Sequence, residues 1–371
     1  MTTMTTHILP TYARLDITFV DGDGCWLVDR DGERYLDCLG GIAVVALGHR
    51  HPAPLAAAHA QLDRLWHVSN LYWTEPMQEL AAKLSGRFGG ASAFFCNSGA
   101  EATEAAIKWA RKATGRSELV ALEGSFHGRT LGALSITGQP AKRAAFEPLL
   151  PGVRFATPDT LAEAVSDRTA AIFLEPVLGE GGVHPLATET LAEARELADE
   201  HGALLVFDEI QTGVGRCGTF FAFEQHGVEP DATTLAKGLA NGLPIGVLLV
   251  SDSAPTAFEP GDHASTFGGN LVSCAAACAV VDALDDELLA HVGEMSERLA
   301  AGLEPLGAVR GRGLLLGVEL DRPVGPVVEA ALQNGLVVGS AGERTLRLAP
   351  PLTISADEAD LAVRLLAEVL G

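Results

Sequence analysis

Residues 203–208 read ALLVFD, an uninterrupted apolar run that ends in the carboxylate of Asp208. Further runs of this kind lie at residues 93–96, 119–122, 170–174 and 245–250. Helical stretches, such as residues 101–112 and 189–200, lie between them. Short runs that do not alternate with polar residues are typical of strands covered on both faces. Strands that alternate with helices predict an α/β domain with a mostly parallel sheet.

The two ends of the chain differ from the middle. Near the start, short β-runs are separated by Asp-Gly steps, which is typical of a small meander. After residue 273 a long helical stretch and three β-runs precede a final helix, which starts at the capping box of Ser355 and Glu358. We therefore predict a large α/β domain at residues 51–272 and a small α+β domain at 273–371. The N-terminal segment, residues 1–50, is expected to join the small domain.

Composition excludes several classes of protein. The 371 residues carry 48 acidic and 26 basic side chains, a net charge of −22, so nucleic acid and anionic membranes are poor partners. No apolar run approaches the roughly 18–20 residues that span a bilayer, and the N-terminus lacks the pattern of a signal peptide. The six cysteines form no CxxC, and no zinc-ligand spacing occurs. We expect a soluble cytoplasmic protein with free buried thiols and no metal.

Two motifs resemble nucleotide sites, and neither has the required context. Residues 213–218 match GxGxxG, but they neither directly follow a strand nor open a helix. Residues 206–209 resemble the acidic strand end of an NTPase, yet no lysine in the chain follows a glycine, as a phosphate-binding GxxxxGK[ST] loop requires. The sequence therefore argues against both kinds of site.

Lys237 is the only lysine after Lys142, in a stretch that otherwise uses arginine for positive charge. Its apolar, glycine-flanked setting indicates amine chemistry, because an amine forms a Schiff base and a guanidinium does not. A surface lysine placed there by chance is the alternative.

Asp208 and residues 96–101 complete a set of groups with Lys237. Ligands bind at the carboxyl ends of parallel strands, where Asp208 lies. A lysine Schiff base and an aspartate paired with a pyridinium nitrogen define a pyridoxal phosphate site. Residues 96–101, CNSGAE, lie between a strand and a helix, and Gly99 allows the backbone to approach an anion there. Taken singly, Asp208 could be a helix cap or metal ligand, and residues 96–101 a well-capped helix.

Five motifs occur in a diagnostic order, namely NSGAEA at 97–102, FHGRT at 126–130, EPVLGEGG at 175–182, FDEIQTG at 207–213 and LAKG at 235–238. Supporting motifs are GGIAV at 40–44, WHVSN at 66–70 and STFGGN at 265–270. From about Tyr12 to the C-terminus the chain resembles the class III, ornithine-type pyridoxal-phosphate aminotransferases, and within them most closely those that act on N-acetylornithine. The resemblance implies fold type I, with a seven-stranded sheet, and an obligate homodimer with shared active sites.

The resemblance also implies roles for individual residues toward the cofactor. Lys237 would bind it covalently and shuttle a proton, Asp208 would keep the ring nitrogen protonated, Gln211 would contact the ring hydroxyl and Phe126 would stack on the ring. Thr266 would reach the phosphate of the neighbouring subunit. The full cofactor set implied is Ser98, Gly99, Ala100, Phe126, Glu175, Asp208, Ile210, Gln211, Lys237 and Thr266.

Five residues are implied in substrate binding. Arg347 would bind the α-carboxylate of glutamate and Arg129 the other carboxylate, since arginine binds carboxylates in a bidentate manner. Glu180 resembles a gate that pairs with Arg347 when an ω-amine enters. Tyr12 and Ser265 would contact the acetylornithine end. A structural ion pair is the alternative for either arginine.

The activity implied is transfer of the δ-amino group of N2-acetyl-L-ornithine to 2-oxoglutarate in arginine biosynthesis, by a ping-pong mechanism. Another ω-aminotransferase, acting on succinylornithine, ornithine, GABA or a carrier-linked lysine precursor, is the main alternative. An aminomutase would not depend on 2-oxoglutarate, and a non-enzymatic binding protein would have no use for the combination of lysine, aspartate and phosphate site.

Overall fold

Strands and helices alternate through the middle of the chain, which a computed structural model describes for residues 7–371. Within these residues the strands are β1 (Phe19–Asp23), β2 (Trp26–Asp29), β3 (Arg34–Asp37), β4 (Ser92–Cys96), β5 (Glu118–Leu122), β6 (Val153–Ala156), β7 (Thr169–Leu174), β8 (Val177–Leu178), β9 (His184–Pro185), β10 (Leu204–Asp208), β11 (Ala232–Leu235), β12 (Gly246–Val250), β13 (Ala308–Arg312), β14 (Leu315–Glu319), β15 (Leu336–Val337), β16 (Gly339–Ala341) and β17 (Thr345–Leu348).

The helices range from single turns to the five turns of α10. In chain order they are α1 (Gly40–Ala43), α2 (Pro52–Leu62), α3 (Glu75–Arg87), α4 (Gly99–Thr114), α5 (Leu131–Ser135), α6 (Pro140–Arg143), α7 (Leu161–Ala164), α8 (Thr188–His201), α9 (Leu271–Ala283), α10 (Asp286–Leu303), α11 (Val324–Gln333) and α12 (Ala356–Leu370). Short 3-10 turns lie at Ala144–Phe146, Pro158–Thr160, Ala222–His226, Lys237–Ala240 and Glu304–Leu306. The capping box predicted at Ser355 and Glu358 begins α12.

The large sheet has the strand order β4-β12-β11-β10-β7-β5-β6. β12 alone runs against its neighbours β11 and β4, and the other pairs are parallel. Every residue of β7 and β10 is buried, as expected for strands covered by helices on both faces. The predicted mostly parallel seven-stranded sheet is thus confirmed. The carboxyl ends of its parallel strands meet at one edge, where ligand sites of α/β folds form.

Two smaller sheets are built from the ends of the chain. β1, β2 and β3 form an antiparallel meander, and β15 adds to it in parallel with β3. β13, β14, β17 and β16 form a second, antiparallel sheet. Segments about 300 residues apart therefore share one sheet, while the domain boundaries at residues 50 and 272 stay a prediction.

The turn α1 is left-handed rather than an ordinary helix. Its four residues have φ values of 56°, 64°, 67° and 60°, a run that L-residues adopt only at a cost. The carboxylate of Asp37 accepts hydrogen bonds from the backbone N–H groups of Leu39 and Gly40 and holds the start of the turn. The turn directs the next residue, Val44, to the wall of the cavity described below.

The described part of the chain contains no helix long and apolar enough to cross a membrane. Within residues 7–371 no group of three or more His, Cys, Asp or Glu side chains is arranged to hold a metal ion. All six cysteines are buried and free of disulfides, and burial raises the pKa of their thiols, to about 12 for Cys96.

Candidate active site

A cavity of about 390 Å³ opens at the carboxyl edge of the large sheet. Loops that follow β4, β5, β7, β10 and β11 supply most of its wall, and the residues just before β12 close it. Nine of the ten residues predicted to bind the cofactor line this one cavity, namely Ser98, Gly99, Ala100, Phe126, Glu175, Asp208, Ile210, Gln211 and Lys237.

The N-terminus of α4 forms one end of the cavity. The Ser98 hydroxyl caps this helix by accepting a hydrogen bond from the N–H of Glu101 at 3.2 Å. A Cβ atom at Gly99 would lie only 2.8 Å from the Ile210 side chain, so glycine is required where the helix meets the cavity floor. A 16-residue helix with its positive end and first N–H groups at a cavity is suited to bind a phosphate.

Lys237 lies just after β11 and is half-buried in the cavity wall. Its φ of 40° places the residue in the left-handed region, a backbone strain typical of functional positions. Its Nζ forms no hydrogen bond or salt bridge with any residue in the described range 7–371. Burial lowers the pKa of this amine, aided by the guanidinium of Arg347 and opposed by the carboxylates of Asp208 and Glu180. The amine is therefore easier to deprotonate than an exposed lysine.

Asp208 is buried at the end of β10, and three groups fix its carboxylate. His127 Nδ1 lies 2.7 Å from Oδ2, and the N–H of Ile210 donates to Oδ1 at 3.1 Å. The Thr234 hydroxyl donates to the same Oδ1 at 3.3 Å. Burial alone would lower the pKa of His127, but the hydrogen bond and charge of Asp208 outweigh it and raise that pKa. The contact with Asp208 therefore favours the protonated form of the His127 imidazole.

His127 and Thr234 are the two residues of this network to which the sequence analysis assigned no role. His127 stands inside the FHGRT motif, next to the predicted Phe126, and this position is the only signal for it in the sequence. Thr234 lies in β11, beside β10, where its register partner is Asp208.

Glu175 connects two loops of the site from a fully buried position. Its Oε1 accepts a hydrogen bond from the N–H of Phe126 at 2.8 Å, and its Oε2 accepts one from the N–H of Gly179 at 3.2 Å. Burial raises the pKa of this carboxyl to about 7. Glu175 thus fixes the backbone that carries the Phe126 ring.

Arg347, on β17, reaches the site from the antiparallel sheet and is almost fully buried. Its Nη1 lies 2.5 Å from Glu180 Oε1 and donates to Gln211 Oε1 at 3.1 Å. Burial would raise the pKa of Glu180, but the guanidinium outweighs this effect and lowers it. A Cβ at Gly179 would approach Gln211 Oε1 to 2.4 Å, so this arrangement requires glycine there. A substrate carboxylate could displace Glu180 and pair with Arg347 in its place.

The four remaining predicted residues do not all line the cavity that contains Lys237. Arg129 lines the cavity and forms no salt bridge with any described residue. Ser265 and Thr266 line a neighbouring cavity, and the Ser265 hydroxyl accepts a hydrogen bond from Asn97 Nδ2 at 3.0 Å. Tyr12 lines neither cavity and its side chain is exposed.

Comparison with known proteins places this geometry in a family. Residues 10–370 match the family model described as aminotransferase class-III. The acetylornithine aminotransferase of Corynebacterium efficiens is 48% identical, over 98% of this chain and 95% of that protein. The acetylornithine aminotransferase of Archaeoglobus fulgidus is 44% identical over 97% of each chain. The chain belongs to the class III aminotransferases.

Solved structures agree with this assignment. The ornithine aminotransferase of Toxoplasma gondii superposes with a TM-score of 0.93 at 30% identity, over 98% of this chain and 92% of that one. The N-acetylornithine aminotransferase of Stenotrophomonas maltophilia gives a TM-score of 0.83 at 34% identity, over 96% of each chain. The predicted fold class is thereby confirmed.

The cavity fits pyridoxal phosphate, the cofactor of this family. A helix N-terminus suits the phosphate, and the Asp208 carboxylate suits a protonated ring nitrogen. The Lys237 amine, which has no hydrogen-bond or salt-bridge partner among residues 7–371, suits the aldehyde. These three groups converge on one cavity, which is the arrangement that the cofactor requires.

Proposed function

We propose that this protein transfers the δ-amino group of N2-acetyl-L-ornithine to 2-oxoglutarate, giving N-acetyl-L-glutamate 5-semialdehyde and L-glutamate, in arginine biosynthesis. The observation that carries the proposal is the Arg347–Glu180 pair. The Arg347 guanidinium of this pair also donates to Gln211, which lines the cavity that contains Lys237 and Arg129. Relatives named acetylornithine aminotransferase, 44–48% identical over nearly the whole chain, support the choice of substrate.

The cofactor supplies an aldehyde that takes up the amino group and a ring that withdraws electrons from the carbon bearing it. Lys237 moves the proton, because burial lowers the pKa of its amine and makes the neutral form more accessible than in an exposed lysine. The Asp208 carboxylate, held by His127, would keep a proton on the ring nitrogen of the cofactor. The N-terminus of α4, with Gly99 and Ala100, would hold the phosphate. Phe126 would pack on the ring, and Gln211 would bind the ring hydroxyl.

Two substrates of different charge have to alternate in the same site. Glutamate carries a carboxylate on the carbon that bears its reacting amine, and Arg347 binds it once Glu180 moves aside. The δ-carbon of acetylornithine carries no carboxylate, so Glu180 then stays on Arg347 and neutralises it. Arg129 binds the carboxylate at the far end of either substrate, where arginine can form a bidentate pair. Ser265 and Tyr12 complete the acetylornithine end.

A visible spectrum of the purified holoenzyme tests this function. N-acetylornithine alone should bleach the yellow band of the bound cofactor, and 2-oxoglutarate should restore it. Bleaching by glutamate but not by acetylornithine would keep the aminotransferase and reject this substrate. Faster turnover of ornithine, succinylornithine or GABA would favour the corresponding ω-aminotransferase. A protein that stays colourless after pyridoxal phosphate is added would overturn the cofactor assignment.

We also propose that the active unit is a homodimer. An exposed apolar patch, which we call the 65–73 patch, lies beside the cavity that contains Ser265 and Thr266. Side chains of this size are rarely exposed together unless a partner covers them. The patch consists of Leu65, Trp66, Leu71, Tyr72 and Trp73, with Phe267 next to it. In such a dimer Thr266 would reach the phosphate bound by the partner.

Changing Trp73 to Asp should convert the dimer to a monomer, because a charge in a buried apolar contact is strongly unfavourable. Sedimentation velocity measures the mass, and titration with pyridoxal phosphate measures the cofactor affinity, which should fall with the loss of Thr266 from the partner. Val20→Asp, at another exposed apolar position, is the matched control and should stay dimeric. A wild-type monomer with full activity would contradict the proposal.

We further propose a cytoplasmic location, and the state of the cysteines supports it. Six free cysteines in one chain fit a reducing compartment, where disulfides are rare.

A further inference from the structure

Lys142 contacts the aromatic ring of Phe126, which Arg129 also contacts. Its Nζ is 4.9 Å from the centre of the Phe126 ring, and the Arg129 guanidinium carbon is 5.5 Å from that centre. Both distances are within the range of cation–π contact. Phe126 lines the cavity, so two cations flank one of its walls.

The Lys142 amine is held in place rather than extended into solvent. The side chain is half-buried on α6, and its Nζ donates a hydrogen bond to Gln139 Oε1. The Gln139 amide is itself anchored, since its Nε2 donates to the carbonyl oxygens of Gly124 at 3.1 Å and Ser125 at 3.4 Å. These carbonyls lie in the loop that leads from β5 to Phe126. Lys142 is therefore fixed to the same loop as the ring and Arg129.

The cationic side chains near the Phe126 wall of the cavity differ in whether a carboxylate pairs with them. Arg347 pairs with Glu180, whereas neither Lys142 nor Arg129 forms a salt bridge with any residue between 7 and 371. Burial lowers the pKa of Lys142, the carboxylate of Glu180 raises it, and the guanidinium groups of Arg129 and Arg347 lower it further. Two cations held on one ring repel each other until an anion comes between them.

We propose that Lys142 is a second carboxylate-binding residue, which together with Arg129 receives the carboxylate at the substrate end remote from the reacting amine. The inference rests on the proposed function. In acetylornithine that group is the α-carboxylate. In glutamate and 2-oxoglutarate it is the carboxylate at the other end of the molecule from the one that Arg347 binds. The remaining N–H groups of the ammonium can donate to one carboxylate oxygen while Arg129 binds the other.

Lys142→Met tests this role, because it keeps the length of the side chain and removes the charge. In the holoenzyme the KM values for acetylornithine and 2-oxoglutarate should rise about 10- to 100-fold, with a smaller change in kcat, as expected for a lost charge-assisted hydrogen bond. The dissociation constant of glutarate, measured by calorimetry, should rise by a similar factor. The rate of cofactor bleaching by n-pentylamine, which has no carboxylate, should not change. Lys142→Arg should restore most of the affinity.

Lys83→Met is the matched control, since Lys83 forms an exposed salt bridge with Asp282 away from the cavity. A Lys142→Met enzyme whose KM and glutarate affinity stay within about twofold of wild type would overturn the inference. An equal loss with n-pentylamine would show a structural role instead. If the wild type does not use acetylornithine, the proposed function fails, and the glutarate measurement still decides the role of Lys142.

Discussion

Replacing Lys237 with Ala is expected to lower the transamination rate by roughly 10⁴-fold or more, because one side chain provides both the covalent attachment and the proton transfer. The phosphate end of the cavity does not involve this side chain, so the variant should still bind pyridoxal phosphate without covalent attachment. Stopped-flow mixing with acetylornithine measures the first effect, and equilibrium dialysis measures the second.

Lys237→Arg provides the control for charge. It keeps a cation of similar length, but a guanidinium stays protonated and cannot act as a base. We expect it to be as inactive as the alanine variant, which would show that the amine rather than the positive charge is required. Near-normal transamination by either variant would contradict the role proposed for Lys237.

Asp208→Asn is expected to lower kcat by about 10²- to 10³-fold, a loss typical of removing one preorganised electrostatic group. The amide has the size of the carboxylate, but it cannot hold a proton on a ring nitrogen by its charge. His127 would also lose the anion that raises its pKa. Steady-state kinetics give kcat, and the absorption spectrum shows whether the cofactor is still bound.

His127→Gln separates positioning from direct contact. His127 touches the Asp208 carboxylate at 2.7 Å, so its replacement should cost less activity than Asp208→Asn and leave cofactor binding intact. An Asp208→Asn enzyme with a bound cofactor and full kcat would rule out the proposed electrostatic role.

The sequence predicts the centre of the fold well because its strands are apolar and unbroken. Five strands, β4, β5, β7, β10 and β12, each coincide with an apolar run identified in the sequence. β11 escapes this pattern because its ATTL sequence is half polar. Its two threonines are nevertheless buried, and the Thr233 hydroxyl donates to the Phe207 carbonyl at 3.0 Å. A polar side chain whose hydroxyl is hydrogen-bonded inside the sheet can be buried, and such a strand does not show as an apolar run in the sequence.

The residues of the candidate site are likewise only partly predictable from the sequence. Lys237, Asp208 and Gly99 are predictable because each belongs to a local motif with a chemical reason for its residue type. The pairing of His127 with Asp208 joins residues 81 positions apart, and the contact of Lys142 with Phe126 depends on how α6 packs. Spacing along the chain carries no information on either contact. The roles of the predicted site residues stay predictions, and three of these residues, Tyr12, Ser265 and Thr266, lie outside the cavity of their own chain.

The pairing of β3 with β15 has a consequence for synthesis on the ribosome. Leu36 faces Leu336 across the two strands, so 300 residues separate the partners. At about 5–20 residues per second, translation leaves the meander without its fourth strand for about 15–60 s. The left-handed turn that follows β3, and Val44 after it, gain their final support only then. Val44 lines the cavity, so we expect the complete cofactor cavity to form only after release of the C-terminal segment rather than on completion of the seven-stranded sheet.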